Sequence, residues 1–498
     1  MKKCLRNIVL AGVALSMAPS WADRTVTDNI DVSPNTTYTA KNPYLLTVDA
    51  GQTDTYSGVI SGNGYLSITG GGTFVLTNPE NTFRGNLTID NGVVRLDSAQ
   101  ALRGDIKNKK ICTLYHKGGS KLSTSTLRQF QFNDEGATFN CNFAHSAVAD
   151  EGYASAPFRF MKSCVLTGSV LCGSASGGAK ELMLADDPAT KPTVTFENYV
   201  SVYNSTLALY PTGTFRMKGP VTASTLFCSR TDAGSQGIVE LYNMSNSIQT
   251  VDLGYLTVKL AGENVISNAT VNFASSEDRY AATGRGELLV CSNQHVRALT
   301  SPYTQVEGHI SSEVQVDFAF GGLEEYVSGV KIPRISFGGA VNLIKEGEGL
   351  EQRFSNTTNT TTGAVVVRGG TLRLYNTTVF PNASELIVER GLLDLVNMNT
   401  RRETFASVTN VVVGAAGEIV FSKNDKEPFT NMPSISVTSP GRLSAEEKTS
   451  FTVLSSGFVV NGVDQGNGTF TFATHPEVLG EGITVKVKRP TGLLLIFR

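Results

Sequence analysis

The chain has 498 residues, of which 42 are basic and 44 acidic, so its formal net charge is −2. No block of lysine and arginine stands out, which argues against nucleic-acid binding and against attraction to an anionic membrane, because both need a basic face. Only 17% of the residues are charged, against ~25% in typical globular domains, and the abundance of turn formers and β-branched residues favours short strands joined by turns.

The first 22 residues have the pattern of a secretory signal peptide. A basic start precedes an apolar run from Ile8 to Met17, and Ser20 and Ala22 supply the small residues of a cleavage site. A membrane anchor is the alternative, but the run is shorter than the ~20 residues that span a bilayer. We therefore expect a cleaved signal peptide over residues 1–22, and a mature chain that is exported and has no transmembrane segment.

The segment from Gly62 to Leu96 contains four short alternations of apolar and polar residues, separated by turns such as Gly70-Gly71-Gly72 and Asn91-Gly92. Such alternation indicates strands with one buried face. Strands of about four residues are near the lower limit of length, so a single coil of them has no stable core. Stacking coils about 4.8 Å apart pairs each strand with its counterpart and makes the core continuous. The alternating residues are Leu66 and Ile68, Phe74 and Leu76, Leu87 and Ile89, and Val94 and Leu96.

This pattern predicts an all-β fold, a right-handed parallel β-helix (β-solenoid) with irregular loop insertions. Coils of about 20–25 residues would give about twenty coils. The rival architecture is a β-sandwich, which would need longer strands and clearer two-residue hairpin turns. Segment 104–190 is the least regular, so we expect inserted loops there, and one or two helical turns between Ala179 and Asp186.

The segment from Gly339 to Leu374 repeats the pattern of the first segment, with its turn glycines and apolar positions recurring together. Further short strands are expected at Thr193–Phe196, Thr206–Leu209, Tyr255–Leu260, Glu287–Val290, Ala364–Val367, Glu385–Val388, Leu392–Leu395, Val411–Val413 and Glu418–Phe421. The chain ends in two more predicted strands, Ile483–Lys488 and Leu493–Phe497. A final paired strand or end cap is the plain interpretation of this terminus.

Four parts follow from these patterns. They are the signal peptide (1–22), N-terminal β-helix coils with the first repeat (23–104), a central section with irregular insertions and all mature cysteines (105–300), and C-terminal coils with the second repeat and an end cap (301–498).

The central section contains six cysteines, an even number that permits disulfides with 15 possible pairings. Burial as small apolar core residues is the alternative. No C-x-x-C pattern occurs, so a metal or redox site of that type is not indicated. The six are Cys112, Cys141, Cys164, Cys172, Cys228 and Cys291.

Segments Gly62–Leu96 and Gly339–Leu374 resemble the autotransporter-associated β-strand repeat of bacterial exported proteins. Its pattern is roughly G-x-G-x-L-x-K-x-G-x-G-T-L-x-L, then N-x-Y-x-G, then a strand and G-G-x-L-x-L. The second copy departs from it at Leu350-Glu351, where the family prefers Thr-Leu. It matches at Leu343, Lys345, Gly347, Gly349, Gly363 and Gly369 to Leu374.

The resemblance implies a passenger-type β-helix that is often adhesive or surface-structural. In true autotransporters a membrane β-barrel of several hundred residues follows the passenger. The stretch after Gly441 is too short to hold one, so the chain is similar to the shorter, barrel-less proteins that carry this repeat.

Parallel β-helices also include polysaccharide lyases and hydrolases, so an enzyme is the main alternative. Glycoside hydrolases use two carboxylates, but Asp186-Asp187 lacks the Gly-Asp-Asp and Gly-His-Gly surroundings of pectinases. Gly308-His309 lacks a following glycine. A turn or solvated loop is the better account of both. Asp49 and Asp54 fall short of the 6–8 oxygens that calcium takes.

Other catalytic patterns are missing from the sequence. The five histidines are scattered without H-E-x-x-H, and neither G-x-S-x-G nor a phosphate-binding loop occurs. The sole tryptophan, Trp21, lies in the leader, so only tyrosines could supply prominent sugar-stacking rings. We therefore predict no catalytic residue, no cofactor-binding residue and no metal site.

The sequence predicts a secreted or cell-surface protein, associated with the outer membrane, with a structural or adhesive role and no catalytic role. Its partners would be extracellular glycans or surface proteins. The alternative is a polysaccharide-binding or polysaccharide-degrading enzyme of the lyase or hydrolase type, with a groove of at least two carboxylates and a tyrosine within residues 104–300. A pure spacer is a third, minor interpretation.

Overall fold

The fold is taken from a computed structural model. It describes residues 23–33, 37–102, 113–117, 128–146, 156–172, 181–229, 236–273, 286–301, 307–326, 332–355, 357–398, 404–422, 429, 433–438, 440–445, 451–455, 457–464, 468–472 and 486–488. The signal peptide expected over residues 1–22 and the strand expected at Leu493–Phe497 lie outside these residues.

Short parallel strands make up the architecture, as predicted. Within the described residues there is no α-helix, and one 3-10 turn covers Ala99–Leu102. The first sheet contains Arg24–Val26, Tyr44–Thr47, Thr53–Tyr56, Tyr65–Thr69, Thr73–Leu76, Asn86–Ile89, Gly92–Leu96, Thr113–Lys117, Arg128–Phe132, Asn142–Ser146, Phe158–Phe160, Val170–Cys172, Glu181–Asp186, Val200–Val202, Thr206–Tyr210, Val221–Cys228, Ser247–Leu253, Thr270–Phe273 and Ala298–Thr300.

The second sheet contains Ala137–Phe139, Cys164–Leu166, Thr193–Phe196, Thr214–Met217, Ile238–Leu241, Thr257–Leu260, Glu287–Val290, Gln294–Val296, Glu307–Phe320, Arg334–Lys345, Glu351–Ser355, Val365–Val367, Thr371–Tyr375, Glu385–Asp394, Asn410–Phe421, Ser434–Val437, Arg442–Ala445, Gly457–Val460 and Val463–Asp464. Two small sheets pair Ile30–Val32 with Ile60–Gly62, and Phe451–Ser455 with Gly468–Phe472 and Lys486–Lys488.

Each coil of the chain contributes strands to three faces. In one coil, Val170–Cys172 lies on the first face, Glu181–Asp186 on the second and Thr193–Phe196 on the third. The next coil places Val200–Val202, Thr206–Tyr210 and Thr214–Met217 directly beside them, in parallel register. This arrangement is a parallel β-helix, and it excludes the β-sandwich.

The coils differ in length more than the sequence pattern suggested. The shortest steps, such as Thr206 to its register partner Thr225, are 19 residues long, whereas the step from Gly92 to Arg128 is 36 residues long. Strand positions stay in register because the extra residues lie between strands. The loops expected in segment 104–190 fall largely on residues 104–112, 118–127, 147–155 and 173–180, which lie outside the described residues.

One cluster of buried apolar side chains extends along the stack from Ile30 to Leu443. Phenylalanine rings from different faces meet inside it. Phe160 stacks on Phe132 at a centroid distance of 5.0 Å, and it meets Phe196 and Phe215 edge-on, each at 5.7 Å. The core therefore joins consecutive coils as well as the three faces of one coil.

Side-chain amides continue the backbone ladder where a strand is interrupted. Asn246 accepts a hydrogen bond from the amide of Val221 and donates one to the carbonyl of Val265. Gln352 is fully buried, and its amide both accepts from the N–H of Leu299, at 3.1 Å, and donates to the carbonyl of Leu299, at 2.9 Å. Buried backbone groups must be paired, so these side chains replace missing backbone partners.

The predicted strands of both repeats are confirmed. The helical turns expected between Ala179 and Asp186 are wrong, because Glu181–Asp186 is a strand. Leu182 and Leu184 point into the core, while Met183 and Ala185 pack in a second apolar cluster. Apolar residues on both sides hide the period of two that marks a strand.

Replacing Phe160 with alanine tests the shared core. The change removes a ring that packs against three others, so we expect the free energy of unfolding to fall by about 3–5 kcal/mol. Chemical denaturation of the mature chain, followed by far-ultraviolet circular dichroism, measures it. The matched control is Leu45→Ala, whose side chain is 60% exposed and whose loss should leave the midpoint unchanged. Equal midpoints for Phe160→Ala and the parent would contradict a continuous core.

Replacing Gln352 with leucine tests the amide substitution. The variant leaves the N–H and C=O of Leu299 buried without partners, which should cost about 2–4 kcal/mol. Hydrogen exchange at the Leu299 amide should also become faster. Gln131→Leu is the control, since that amide bonds to the Gln129 side chain. Unchanged exchange at Leu299 in Gln352→Leu would refute the role.

Candidate functional site

Of the aspartate pair that the sequence assigned to a turn or solvated loop, Asp186 ends a strand, whereas Asp187 begins a turn, its carbonyl accepting hydrogen bonds from the amides of Thr190 and Lys191. Asp186 is buried, with 1% of its surface exposed. Its carboxylate accepts hydrogen bonds from the amides of Thr212 and Gly213 and from the Thr212 hydroxyl, at 2.7 to 2.9 Å. Burial raises the pKa of Asp186, and these hydrogen bonds oppose that shift. The carboxylate ties one coil to the turn of the next.

The other sequence candidates are also placed as structural residues. Asp54 is buried and forms an ion pair with Arg24, at 2.5 Å. Gly308-His309 lies within the strand Glu307–Phe320 and not in a turn. His309 Nδ1 is 2.8 Å from the Ser336 hydroxyl on the neighbouring strand. Strand pairing therefore accounts for positions that the sequence assigned to turns.

Four of the five described cysteines are core residues, and the fifth, Cys291, is partly exposed. Cys164 and Cys228 are buried free thiols within the apolar cluster, and Cys141 and Cys172 are buried in the same cluster. Burial raises the pKa of the Cys164 thiol to about 12, which disfavours the reactive thiolate. Cys112 lies outside the described residues. For the four buried cysteines, packing is the better of the two explanations offered by the sequence.

In the part of the chain that the structure describes, no group of three or more histidine, cysteine, aspartate or glutamate residues is arranged to hold a metal ion. The same residues contain no helix with the length and apolar character needed to cross a membrane.

A ladder of ion-paired charges on the C-terminal coils was not identified from the sequence. Glu351 contacts Arg353 at 2.5 Å and Arg373 at 3.4 Å, and Arg373 contacts Asp394 at 2.8 Å. These residues belong to strands whose register places Arg353 beside Arg373 and Arg373 beside Asp394. We call these four residues the charged ladder. Each charge has an opposite neighbour, so the ladder stabilises the stack rather than presenting a net charge.

Aromatic rings flank the charged ladder. The Arg353 guanidinium lies 4.2 Å from the centre of the Tyr326 ring and 6.0 Å from that of Tyr375. The Tyr326 hydroxyl accepts a hydrogen bond from the amide of Arg353, at 2.9 Å, and burial raises the pKa of Tyr326 to about 12. Cation–π contact and hydrogen bonding together fix the arginine. Tyr326 therefore serves mainly as support for the ladder.

Beside the ladder is an open groove of 470 Å³, lined by Glu324, Glu348, Glu351, Arg390 and the backbone of several glycines. Arg390 contacts Glu348 at 3.4 Å. The enzyme alternative predicted two carboxylates and a tyrosine within residues 104–300. This carboxylate-lined groove instead belongs to residues 324–416, and arginines contact two of its three carboxylates.

Lys345 lies next to Gly369, which lines this groove. It is fully buried, and its ammonium donates hydrogen bonds to the carbonyls of Glu346 and Gly369. Burial lowers the pKa of Lys345 to about 8, while the negative charges of Glu346 and Glu351 act in the opposite direction. The lysine joins the turns of two consecutive coils.

A second surface feature missed by the sequence lies on the first face. Of the eight large apolar side chains that are exposed among the described residues, five fall between residues 171 and 244. Three of them, Leu171, Tyr199 and Tyr203, are 43%, 40% and 49% exposed. Leu171 pairs in register with Ser201, which lies midway between the two tyrosines, and Ser201 pairs with Thr222. We call these five residues the tyrosine face.

The alternation of inward and outward side chains along a strand explains why the tyrosine face exists. Val200 and Val202 are buried in the core, so Ser201 between them points outwards. Tyr199 and Tyr203 flank this three-residue strand and are both exposed. Their separation along the strand is about 13 Å, from a rise of about 3.3 Å per residue. A sequence signal existed in the alternation from Tyr199 to Tyr203, but the neighbouring coil could not be assigned without the register.

Comparison with known proteins identifies the repeat. Residues 69–96 and 343–374 each match the family model of the passenger-associated-transport-repeat. The two matches confirm the resemblance to autotransporter passenger repeats, and such a repeat implies an exported protein. Comparisons with curated proteins and with solved structures gave no match.

The buried lysine predicts a pH dependence of stability. In the unfolded chain Lys345 has an ordinary pKa near 10.5, whereas in the folded chain it is about 8. Between these values the unfolded state binds more protons, so this group makes stability rise as pH increases from 8 to 10.5. We expect Lys345→Met to remove that rise, measured as denaturation midpoints at several pH values. Parallel pH profiles for the parent and the variant would contradict the assignment.

Proposed function

We propose that the protein is exported and acts at the bacterial cell surface as a structural or adhesive β-helix, without a catalytic role. The observation that carries the proposal is the position of the two passenger repeats. Residues 69–96 and 343–374 contribute strands to the same stack and to the same apolar core cluster. The repeats are therefore parts of one long scaffold and not separate modules.

The outward charges of the described coils support a structural role. Besides the charged ladder, Glu240 contacts Arg216 at 2.8 Å and Lys259 at 3.2 Å, each on an adjacent coil. Such pairs hold neighbouring coils in register. A catalytic carboxylate accepts a proton from the substrate or donates one to it. These carboxylates are instead held in ion pairs with arginine and lysine side chains.

Export would use residues 1–22 as a cleaved signal peptide, which leaves Asp23 as the first residue of the mature protein. Adhesion would use the exposed faces of the solenoid, because the interior is filled by side chains. The competing function is polysaccharide cleavage in the groove lined by Glu348 and Glu351.

Deleting the gene in the source bacterium, with complementation by the full chain, tests this function. We expect the mature protein to begin at Asp23, to be degraded by protease added to intact cells, and to be required for normal adhesion or surface composition. The matched complementing variant is Glu324→Gln/Glu348→Gln, which removes two carboxylates of the groove, leaves the charged ladder intact and should restore adhesion fully. Protein confined inside the cell, or unchanged adhesion and surface composition after deletion, would overturn the proposal. So would release of reducing sugar ends that the double variant abolishes.

A further inference from the structure

We propose that the tyrosine face binds a neutral polysaccharide. The inference rests on the proposed function, because an external glycan reaches this face only if the protein is exported. The tyrosine face comprises Leu171, Tyr199, Ser201, Tyr203 and Thr222, as defined above. Its location on the first face separates it from the charged ladder and from the groove of the C-terminal coils.

The face combines two kinds of surface that recognise sugars. Exposed tyrosine rings offer an apolar surface with a polar edge, on which the C–H face of a sugar ring can stack. Between and beside the rings, the hydroxyls of Ser201 and Thr222 can exchange hydrogen bonds with sugar hydroxyls. At the binding interfaces of proteins, aromatic side chains of this kind contribute much of the binding free energy.

A lack of charge on this face selects a neutral ligand. The outward row that crosses it runs through Ala144, Leu171, Ser201, Thr222 and Ser247, which pair in register from coil to coil. All five are uncharged, whereas the third face has a charged row. An acidic polysaccharide would meet no cation in this row.

Two charged residues at the edge of the face neutralise each other. Glu197 and Lys218 form an ion pair of 2.9 Å, and they lie two residues before Tyr199 and Pro220 respectively. Pro220 is next to Tyr199 in the stack, since its carbonyl accepts a hydrogen bond from the amide of Val200. The edge therefore adds little net attraction for an anion or a cation.

The composition of the face argues against a second copy of the chain as its occupant. A stable protein interface buries about 800 Å² on each partner around a largely apolar centre. Here the exposed apolar side chains are few, and small hydroxyl residues separate them. A polysaccharide needs only a strip of stacking and hydrogen-bonding groups, which the face supplies along about 13 Å of strand.

The experiment uses the purified mature chain in native gels that contain hydroxyethylcellulose, galactomannan or dextran as neutral probes, and alginate as an acidic probe. We expect at least one neutral probe to retard the protein. The variant Tyr199→Ala/Tyr203→Ala should bind that probe about tenfold more weakly or worse, which corresponds to ~1.4 kcal/mol. Tyr199→Phe/Tyr203→Phe retains the rings and should keep most of the binding.

The matched control is Leu45→Ala/Val314→Ala, which removes two apolar side chains that are 60% and 54% exposed on other parts of the surface and should bind like the parent. Circular dichroism shows whether each variant is folded. Retardation by alginate alone, no retardation by any neutral probe, or equal binding by the alanine variant would each overturn the inference. Self-association that only the alanine variant loses, without glycan retardation, would assign the face to a second copy instead.

The glycan-binding experiment and the gene-deletion experiment can fail independently of each other. If deletion of the gene impairs adhesion but the purified protein ignores all neutral probes, the proposed function stands and the tyrosine face is not its glycan site. If the purified protein binds a neutral probe while deletion leaves adhesion and surface composition unchanged, the glycan site stands and the surface role fails.

Discussion

Parallel pairing between consecutive coils is the constraint on which the rest of this structure depends. A strand of three to five residues has no stability alone, and its N–H and C=O groups are satisfied only by the coils on either side. The same pairing places inward side chains on top of each other and fills the core. Where a strand is interrupted, the amides of Asn246 and Gln352 take over the pairing, which shows how strictly the ladder must be completed.

That constraint determines the inward-facing residues of every strand and leaves the outward-facing residues free to vary. Inward positions are apolar because they close the core, whereas outward positions need only tolerate water and their neighbours 4.8 Å away. Stacked outward positions then interact as rows. Opposite charges alternate along the row through Arg216, Glu240 and Lys259, and an uncharged row crosses the tyrosine face. The surface chemistry of the protein is therefore organised by rows that run across coils and not by segments of sequence.

The sequence predicted the fold well because its strongest signal is local. Alternation and turn glycines identified the strands of both repeats, and the family match confirms those repeats. The prediction from the sequence was wrong where both sides of a strand are buried, and where the partners of a side chain lie far along the chain. Glu181–Asp186 is apolar on both sides because a second cluster covers its outer side, so the period of two was lost. Asp186 was assigned to a turn or solvated loop because its partners, Thr212 and Gly213, lie a whole coil away.

The surface sites were less predictable for a related reason. Both Leu171 and Ser201 could be recognised as outward residues, but their adjacency depends on the number of residues between strands. Steps between register partners vary from 19 residues, at Thr206 to Thr225, to 36 residues, at Gly92 to Arg128. No local rule gives that number, so neither the charged ladder nor the tyrosine face follows from the sequence without the structure.

The parallel stack of coils is tested most directly by distances along one row of the third face. Outward residues Thr138 and Lys259 are separated by five consecutive register pairings, and Thr138 and Ser311 by seven. Spin labels attached through unnatural amino acids at these positions allow pulsed electron paramagnetic resonance to measure both distances without using the native cysteines. Stacked coils predict narrow distributions near ~24 Å and ~34 Å. Distances that do not increase with the number of coils would contradict the parallel stack.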